Sequence, residues 1–128
     1  MSAAVDLFRR FCAEWPGLPP QGIAGFFAAD FLYRHDSMER PLAGALAISG
    51  AVEIFRARFE QIESEVLRIA EDDGVVLSER EDRLWLPGGR IVQFRAMATV
   101  EVRDGKISLW TDYFDLVALA RQVDLTEG

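Results

Sequence analysis

The sequence predicts an α+β domain in which helices cover one face of a curved antiparallel β-sheet. Two observations favour this fold class. Segments with helical spacing of apolar residues lie in the first half of the chain, and strand-like segments fill the second half. The strand-like segments are divided by "EDDG", "LPGG" and "RDGK", turn sequences rich in glycine, aspartate or proline that are typical of hairpins. Helices followed by a meander of strands is the pattern of an α+β domain.

The composition indicates one compact domain over residues 1–128. Half of the 128 residues are hydrophobic, which is enough to bury one core and leaves little room for a second. The net charge is −7, from 21 acidic and 14 basic residues, and lysine and arginine form no run. A nucleic-acid phosphate backbone requires a basic surface, so we expect no nucleic-acid partner.

The cysteine and histidine counts limit the chemistry further. Cys12 is the only cysteine and His35 the only histidine, so neither an intrachain disulfide nor a Cys/His zinc cluster is available. The N-terminus lacks a basic segment followed by an apolar run, and no stretch approaches the roughly 20 apolar residues of a membrane span. We therefore expect a cytoplasmic protein with no metal site and no membrane contact.

The first half of the chain predicts three helices. In "VDLFRRFCAEW", Asp6 and Glu14 argue against a targeting peptide, so this helix is expected to cover a core. After "WPGLPP", the segment "QGIAGFFAA" predicts a short second helix. The third helix is expected to follow the loop "SMERPLAGALA", with Ser49 as its N-cap. Apolar residues repeat along one face of the third helix at i, i+3, i+7 and i+10: Val52, Phe55, Phe59 and Ile62.

The remaining elements are predicted strands and one closing helix. "DFLYRHD" predicts a strand or extended segment with Phe31, Tyr33 and His35 on one side. Four further strands are expected from about Ser64 onward, joined as antiparallel hairpins. The segment "FDLVALARQV" then predicts a short C-terminal helix.

One predicted strand carries charge on the face that should be buried. In "VLSEREDRL", alternation places Arg80 and Asp82 on the same side as Val76, Ser78 and Leu84. Burying a charge is costly unless it is paired and hydrogen-bonded. The inward charge therefore needs either a structural partner or a chemical purpose.

The hairpin turns predict which residues lie side by side. Centring the first hairpin on "LPGG" pairs Arg80 with Ala96 and Asp82 with Phe94. Centring the second on "RDGK" pairs Asp112 with Ala96, so that Ala96 lies between Arg80 and Asp112. Alternate strands are about 9 to 10 Å apart, a gap that a guanidinium can bridge over a small residue but not over a leucine.

The same sheet face predicts a small-molecule pocket. Ala96 and Ala98 leave space above the sheet, where we expect Arg80, Asp82 and Asp112 to meet. The apolar residues expected around this trio, with Ala96, are Leu84, Phe94, Trp110 and Phe114. An apolar hollow with a few polar groups is the usual composition of a ligand site.

Two carboxylates that share one arginine suit acid–base chemistry. Repulsion and desolvation favour protonation of one carboxyl, while the arginine keeps the other ionised. The alternative is a buried Asp–Arg–Asp network that only ties three strands together, since structural ion pairs are common. Residue spacing alone does not decide between them.

These residues lie in segments that resemble a known family. "VLSEREDRL" and "ISLWTDYFDL" resemble the limonene-1,2-epoxide hydrolase family, most closely over residues 76–116 and more loosely over 26–33. That family has the cone-shaped α+β fold of scytalone dehydratases, ketosteroid isomerases, nuclear transport factor 2 and SnoaL-like proteins. The resemblance implies one-step, cofactor-independent hydration of a small apolar epoxide to a diol. It implies Asp112 as the base for water, Asp82 as the acid for the epoxide oxygen, and Arg80 as the bridge.

The family holds its water with a tyrosine and an asparagine two residues apart, and here the pattern differs. "LYRHD" supplies Tyr33, but His35 stands in the asparagine place. A neutral histidine offers one donor and one acceptor, so it can hold the water, but it can also act as a base. Two alternatives therefore stay open: a His35/Asp112 dehydratase, isomerase or polyketide cyclase, and a non-catalytic protein that binds an apolar ligand.

The resemblance also implies a homodimer. Polar and apolar residues alternate along the outer side of one predicted strand, at Gln93, Arg95, Met97 and Thr99. We therefore expect two copies to meet through the outer sheet surface.

Overall fold

The computed structural model of the protein describes residues 2–127. Its elements follow the predicted order of helices and then strands. They are α1 (Ala3–Glu14), a single 3₁₀ turn (Trp15–Gly17), α2 (Pro20–Ala24), β1 (Phe27–His35), β2 (Leu42–Ala43), α3 (Ala45–Arg56), β3 (Gln61–Asp72), β4 (Val75–Trp85), β5 (Ile91–Arg103), β6 (Lys106–Phe114) and α4 (Leu116–Glu127).

The strands within residues 2–127 form one curved sheet in the order β2-β1-β6-β5-β4-β3. The predicted antiparallel meander is confirmed, since β3 to β6 pair in sequence through three hairpins. The sequence did not indicate that β1 pairs in parallel with β6. That parallel pairing brings Tyr33 and His35 beside the strand that carries Asp112. The fold class is therefore α+β, with helices on the concave face of the sheet.

The register of the first hairpin is the predicted one, and that of the second is not. Arg80 lies opposite Ala96 and Asp82 opposite Phe94, as expected. Asp112, however, lies opposite Ala98 rather than Ala96, because the turn holds two residues and an irregularity follows between Glu101 and Val102. The error is two residues, so Asp112 keeps the predicted face of the sheet.

The second helix is shorter than predicted. It ends at Ala24, and Phe27 already begins β1, so "QGIAGFFAA" is not helical throughout. The reason is tertiary: the carbonyl of Phe26 accepts a hydrogen bond from the Ile107 amide of β6, at 2.8 Å. Pairing with the sheet therefore overrides the local helical preference.

The third helix begins earlier and ends earlier than predicted. Its N-cap is Gly44, whose φ of 100° is a conformation that suits glycine, and Ser49 lies inside the helix. The Ser49 hydroxyl donates to the Leu46 carbonyl at 2.9 Å instead of capping the helix. The helix ends at Arg56, so Phe59 and Ile62 lie beyond it and pack with a separate core cluster.

The main core lies between α1 and the concave face of the sheet. The prediction for α1 is confirmed, because Phe8, Phe11 and Cys12 are buried. Fully burying one such phenylalanine contributes about 1.5–3 kcal/mol. The aromatic residues that surround Phe11 are Trp15, Phe26, Phe27 and Trp110. Over the described length of the chain, no helix has both the length and the apolar character that crossing a bilayer requires.

Candidate active site

The structure brings the predicted trio of Arg80, Asp82 and Asp112 together on the concave face. Arg80 Nε donates to Asp82 Oδ2 at 3.2 Å, while Nη1 and Nη2 donate to Asp112 Oδ1 and Oδ2 at 2.9 and 3.2 Å. The exposed fractions of the three residues are 7%, 7% and 4%. The guanidinium also lies 5.5 Å from the centroid of the Trp110 ring, a cation–π distance. The charges face inward because they pair with one another.

Asp112 accepts hydrogen bonds on both of its oxygens. Besides the two from Arg80, Trp110 Nε1 donates to Oδ1 at 2.7 Å and the Tyr33 hydroxyl donates to Oδ2 at 2.8 Å. Four donated hydrogen bonds match the roughly four lone-pair sites of a carboxylate. Trp110 was expected only as an apolar lining residue. The hydrogen bond that its indole N–H donates to Asp112 was not indicated by the spacing of apolar residues.

Asp82 accepts two hydrogen bonds, one from Arg80 and one from a serine that the sequence did not single out. Ser64 Oγ donates to Asp82 Oδ1 at 2.6 Å. Trp15 Nε1 in turn donates to Ser64 Oγ at 3.1 Å. The two carboxyl groups of the trio therefore differ in how many of their lone pairs are already in use.

Tyr33 and His35 both reach the site from β1. Tyr33 is paired with Trp110, and His35 with Asp112, across the parallel β1–β6 ladder. Burial and the nearby Asp112 carboxylate raise the pKa of Tyr33, so its hydroxyl stays protonated and acts as a donor. The His35 ring lies 5.2 Å from the Phe114 ring, and its Nδ1 accepts a hydrogen bond from the Ser37 amide at 3.2 Å.

The trio lies in a cavity of about 500 Å³ between the sheet and the helices. Four of the predicted apolar residues line it: Leu84, Phe94, Trp110 and Phe114. The prediction for Ala96 is wrong in one respect, because this residue is buried but is not part of the cavity wall. Its cross-strand neighbours Arg80 and Phe114, which have longer side chains, do line the cavity. Helix α3 closes the opposite wall with Ile48, Val52 and Phe55.

Cys12 also lines the cavity, but as a neutral thiol. Burial raises the pKa of Cys12 to about 12, so the nucleophilic thiolate is scarce near neutral pH. Among the side chains that the structure describes, those of residues 2–123, no three or more histidines, cysteines, aspartates or glutamates group as they would around a metal ion.

Known proteins share a sequence pattern or a fold with this chain. The family model described as the limonene-1,2-epoxide hydrolase catalytic domain matches residues 32–124. The epoxide hydrolase EphG of Mycobacterium tuberculosis is 46% identical over 54 residues, which is 42% of this chain and 36% of that protein. The match thus spans about a third of the length of that curated relative.

Two solved structures extend the similarity to most of the chain. A limonene-epoxide-hydrolase-like epoxide hydrolase of M. tuberculosis has a TM-score of 0.74 and 26% identity, covering 93% of this chain and 85% of that one. A protein of Catenulispora acidiphila with a ketosteroid isomerase-like fold has a TM-score of 0.79 at 20% identity, covering 91% and 90% of the two chains. At that identity the second likeness concerns the fold alone.

Proposed function

The chain belongs to the limonene-1,2-epoxide hydrolase family, and from that premise we propose that it adds water to a small apolar epoxide in one step to give a diol. The observation that carries this proposal is the Arg80 guanidinium, hydrogen-bonded to Asp82 and Asp112 inside an apolar cavity. Epoxide opening needs a nucleophile and a proton on the leaving oxygen at the same time. A paired acid and base meet both needs without a covalent intermediate.

We assign the base to Asp112 and the acid to Asp82. Asp112 accepts four hydrogen bonds, an environment suited to an ionised carboxylate, whereas Asp82 accepts two and has room for a proton. Burial alone would lower the pKa of Arg80, but the Asp112 and Asp82 carboxylates raise it, so the bridge stays charged. These environments support opposite protonation of the two carboxyl groups.

The proposed step balances in atoms and protons. The water oxygen forms a bond to one ring carbon as the bond from that carbon to the epoxide oxygen breaks. Asp112 takes a proton from the water on Oδ2, once the Tyr33 hydroxyl has turned its hydrogen away from that oxygen, and Asp82 gives its proton to the epoxide oxygen. The product is a diol, and return of one proton from Asp112 to Asp82 restores the starting state.

Tyr33 and His35 are assigned to holding the water. The Tyr33 hydroxyl donates to Asp112 Oδ2 and thereby lies beside the oxygen that would receive the proton. His35 Nδ1 is occupied as an acceptor by the Ser37 amide, so the ring proton of neutral His35 belongs on Nε2. Nε2 is then a donor to water and lacks the lone pair of a base. This favours hydration over the His35/Asp112 dehydratase alternative.

The walls favour a hydrocarbon epoxide. Few polar side chains line the cavity outside the trio. Tyr33 and Ser64 donate hydrogen bonds to the carboxyl groups of the trio, and the others are His35 and the neutral thiol of Cys12. Among the lining residues that the structure describes, the other walls are aromatic and aliphatic, with no charged group that would recognise a carboxylate or phosphate on the substrate. We therefore propose a substrate whose only polar group is the epoxide ring.

Turnover of terpene, styrene and cyclohexene oxides by the purified protein tests the proposal. Diol formation is expected, with ¹⁸O in the diol from a single turnover in H₂¹⁸O, because water attacks directly. Labelling delayed to the second turnover would indicate a covalent intermediate. Binding without diol formation would favour the non-catalytic alternative.

We further propose that the protein is a homodimer formed through the outer sheet face. Met97 and its cross-strand neighbour Tyr113 are 50% and 49% exposed on that face, an apolar pair in a surface otherwise rich in charge. Solution scattering at micromolar concentration should give the mass of two chains. A monomer under those conditions would contradict this part of the proposal.

A further inference from the structure

We propose that Ser64, which is oriented by Trp15, is a positioning residue. It stabilises the carboxylate that forms when Asp82 gives up its proton. The inference rests on the acid role proposed for Asp82. Ser64 lies directly opposite Asp82 on the neighbouring strand, with Oγ 2.6 Å from Oδ1. The hydrogen bond from Ser64 to Asp82 is the shortest of those made to either carboxyl group of the trio.

Trp15 is held firmly enough to orient the serine. Its indole Nε1 lies 3.1 Å from Ser64 Oγ, and its ring is stacked against Phe11 with 6.4 Å between centroids. Its backbone carbonyl accepts a 2.7 Å hydrogen bond from Arg56 Nη1, at the end of α3. The tryptophan is therefore fixed at both its ring and its backbone.

The hydrogen-bond chain has one favoured direction. An indole N–H can only donate, so Ser64 Oγ accepts from Trp15 and its own hydrogen is free for Asp82. A hydroxyl that accepts one hydrogen bond becomes a better donor in the next. The chain thus runs from Trp15 through Ser64 to Asp82 Oδ1.

This direction favours the transition state over the substrate complex. A hydrogen bond to an ionised acceptor is roughly twice as strong as one to a neutral acceptor. The Ser64 bond therefore strengthens as the proton leaves Asp82 for the epoxide oxygen. An interaction that strengthens along the reaction raises kcat and leaves KM almost unchanged.

The charged and titratable groups that face Asp82 come from several elements. They are Arg80 on the same strand, Asp112 on β6, Cys12 on α1 and Tyr33 on β1. Arg80 stays charged, and burial raises the pKa of Cys12 and of Tyr33, so neither of these two loses its proton near neutral pH. His35 lines the same cavity, so the effect of Ser64 is read from the difference between the variant and the wild type, in which His35 is common to both.

Replacing Ser64 should therefore give two changes of opposite sense. Ser64→Ala is expected to move the basic limb of the pH–rate profile up by about one pH unit and to lower kcat by up to about tenfold, the limit for complete proton transfer in the transition state. The variant would be slower yet active to higher pH. Ser64→Thr keeps the hydroxyl, so both kcat and the basic limb should stay near their wild-type values. Trp15→Phe should change kcat and the basic limb in the same sense as Ser64→Ala, by a smaller amount.

Ser78→Ala is the matched control. Ser78 is a buried serine on the same face of β4, and its Oγ has no hydrogen-bond partner in the part of the chain that the structure describes. Removing that hydroxyl should leave kcat and the pH profile unchanged. A purely structural role for Ser64 would lower kcat or the melting temperature with the basic limb unmoved, which would overturn the inference.

A second readout does not depend on turnover. In protein labelled with ¹³C at the aspartate carboxyls, Ser64→Ala should raise the titration midpoint of Asp82 and Ser78→Ala should not. If the wild type hydrolyses no epoxide, the proposed function fails while this titration still tests the Ser64–Asp82 link. An Asp82 midpoint identical in wild type and Ser64→Ala would refute the link itself.

Discussion

The hydroxyl of Tyr33 lies 2.8 Å from Oδ2 of Asp112 and donates a hydrogen bond to it. The two residues are 79 positions apart in the chain and meet because β1 runs parallel to β6. Asp112 therefore has a neutral donor on the oxygen beside Arg80 Nη2. A water bound there would share the hydroxyl and the carboxylate.

Tyr33→Phe should lower kcat/KM about 10- to 100-fold without unfolding the protein. Hydrogen bonds to charged groups contribute about 1.5–3 kcal/mol, and the variant loses the one that the Tyr33 hydroxyl donates to Asp112. Steady-state rates on an epoxide that the wild type turns over measure the effect. Tyr113→Phe is the control, because Tyr113 is the other of the two tyrosines and lies on the outer face of the sheet. An unchanged rate for Tyr33→Phe would remove this hydroxyl from the mechanism.

The trio could be predicted from the sequence because local rules determine it. Alternation along β4 fixed the face of Arg80 and Asp82, and the "LPGG" turn fixed their partners on β5. The predicted partner of Asp112 on β5 was wrong by two residues, an error that keeps Asp112 on the predicted face of the sheet. Charge on a predicted buried face thus indicated correctly that these side chains meet in the structure.

Ser64 was missed because a β-bulge reverses its face. From the Asp73–Gly74 turn, continuous pairing would place Glu65 opposite Asp82, but the register shifts between Val66 and Arg68 and brings Ser64 there instead. The bulge has no clear signal in the sequence. Trp15 was missed for a different reason, since its contact with Ser64 joins residues 49 positions apart through helix packing.

Asp82→Asn and Asp112→Asn should each lower turnover at least about 100-fold while the protein stays folded, because each removes one proton-transfer role. A network that served only to join strands predicts something different. Breaking one buried pair would then cost about 3–5 kcal/mol of stability, and activity would fall only through unfolding. Rates and thermal melts measured on the same samples separate these outcomes.

Asp30→Asn is a matched control for the two aspartate variants. Asp30 pairs with Arg103 at the surface, and its side chain is 71% exposed. Exposed ion pairs contribute about 0–1 kcal/mol, so neither rate nor melting temperature should change much. A folded Asp82→Asn or Asp112→Asn protein with a rate like that of Asp30→Asn would exclude that carboxyl from catalysis.

Alkylation of Cys12 should report unfolding and not active-site access. Burial raises the pKa of Cys12 to about 12, so at pH 8 the folded protein keeps the thiol protonated while the unfolded chain ionises it more readily. The same difference makes the cysteine contribution to stability fall as pH rises from about 8.5 toward 12. Iodoacetamide labelling at pH 8 should be slow without urea and fast above the unfolding midpoint. Fast labelling that is independent of urea would contradict the burial of the thiol.

The last prediction concerns the tautomer and role of His35. Because Ser37 N–H donates to Nδ1, ¹⁵N spectra of the neutral ring should show the proton on Nε2, and a single histidine makes the assignment direct. If that Nε2–H holds the water, His35→Asn supplies another neutral donor and should keep hydrolysis within about tenfold, a barrier change of roughly 1.4 kcal/mol. His35→Ala should cost more, because the water loses a partner in a cavity with few polar groups. A proton found on Nδ1, or a folded His35→Asn protein that is inactive on epoxides while Asp112→Asn retains substantial activity, would instead make His35 the base.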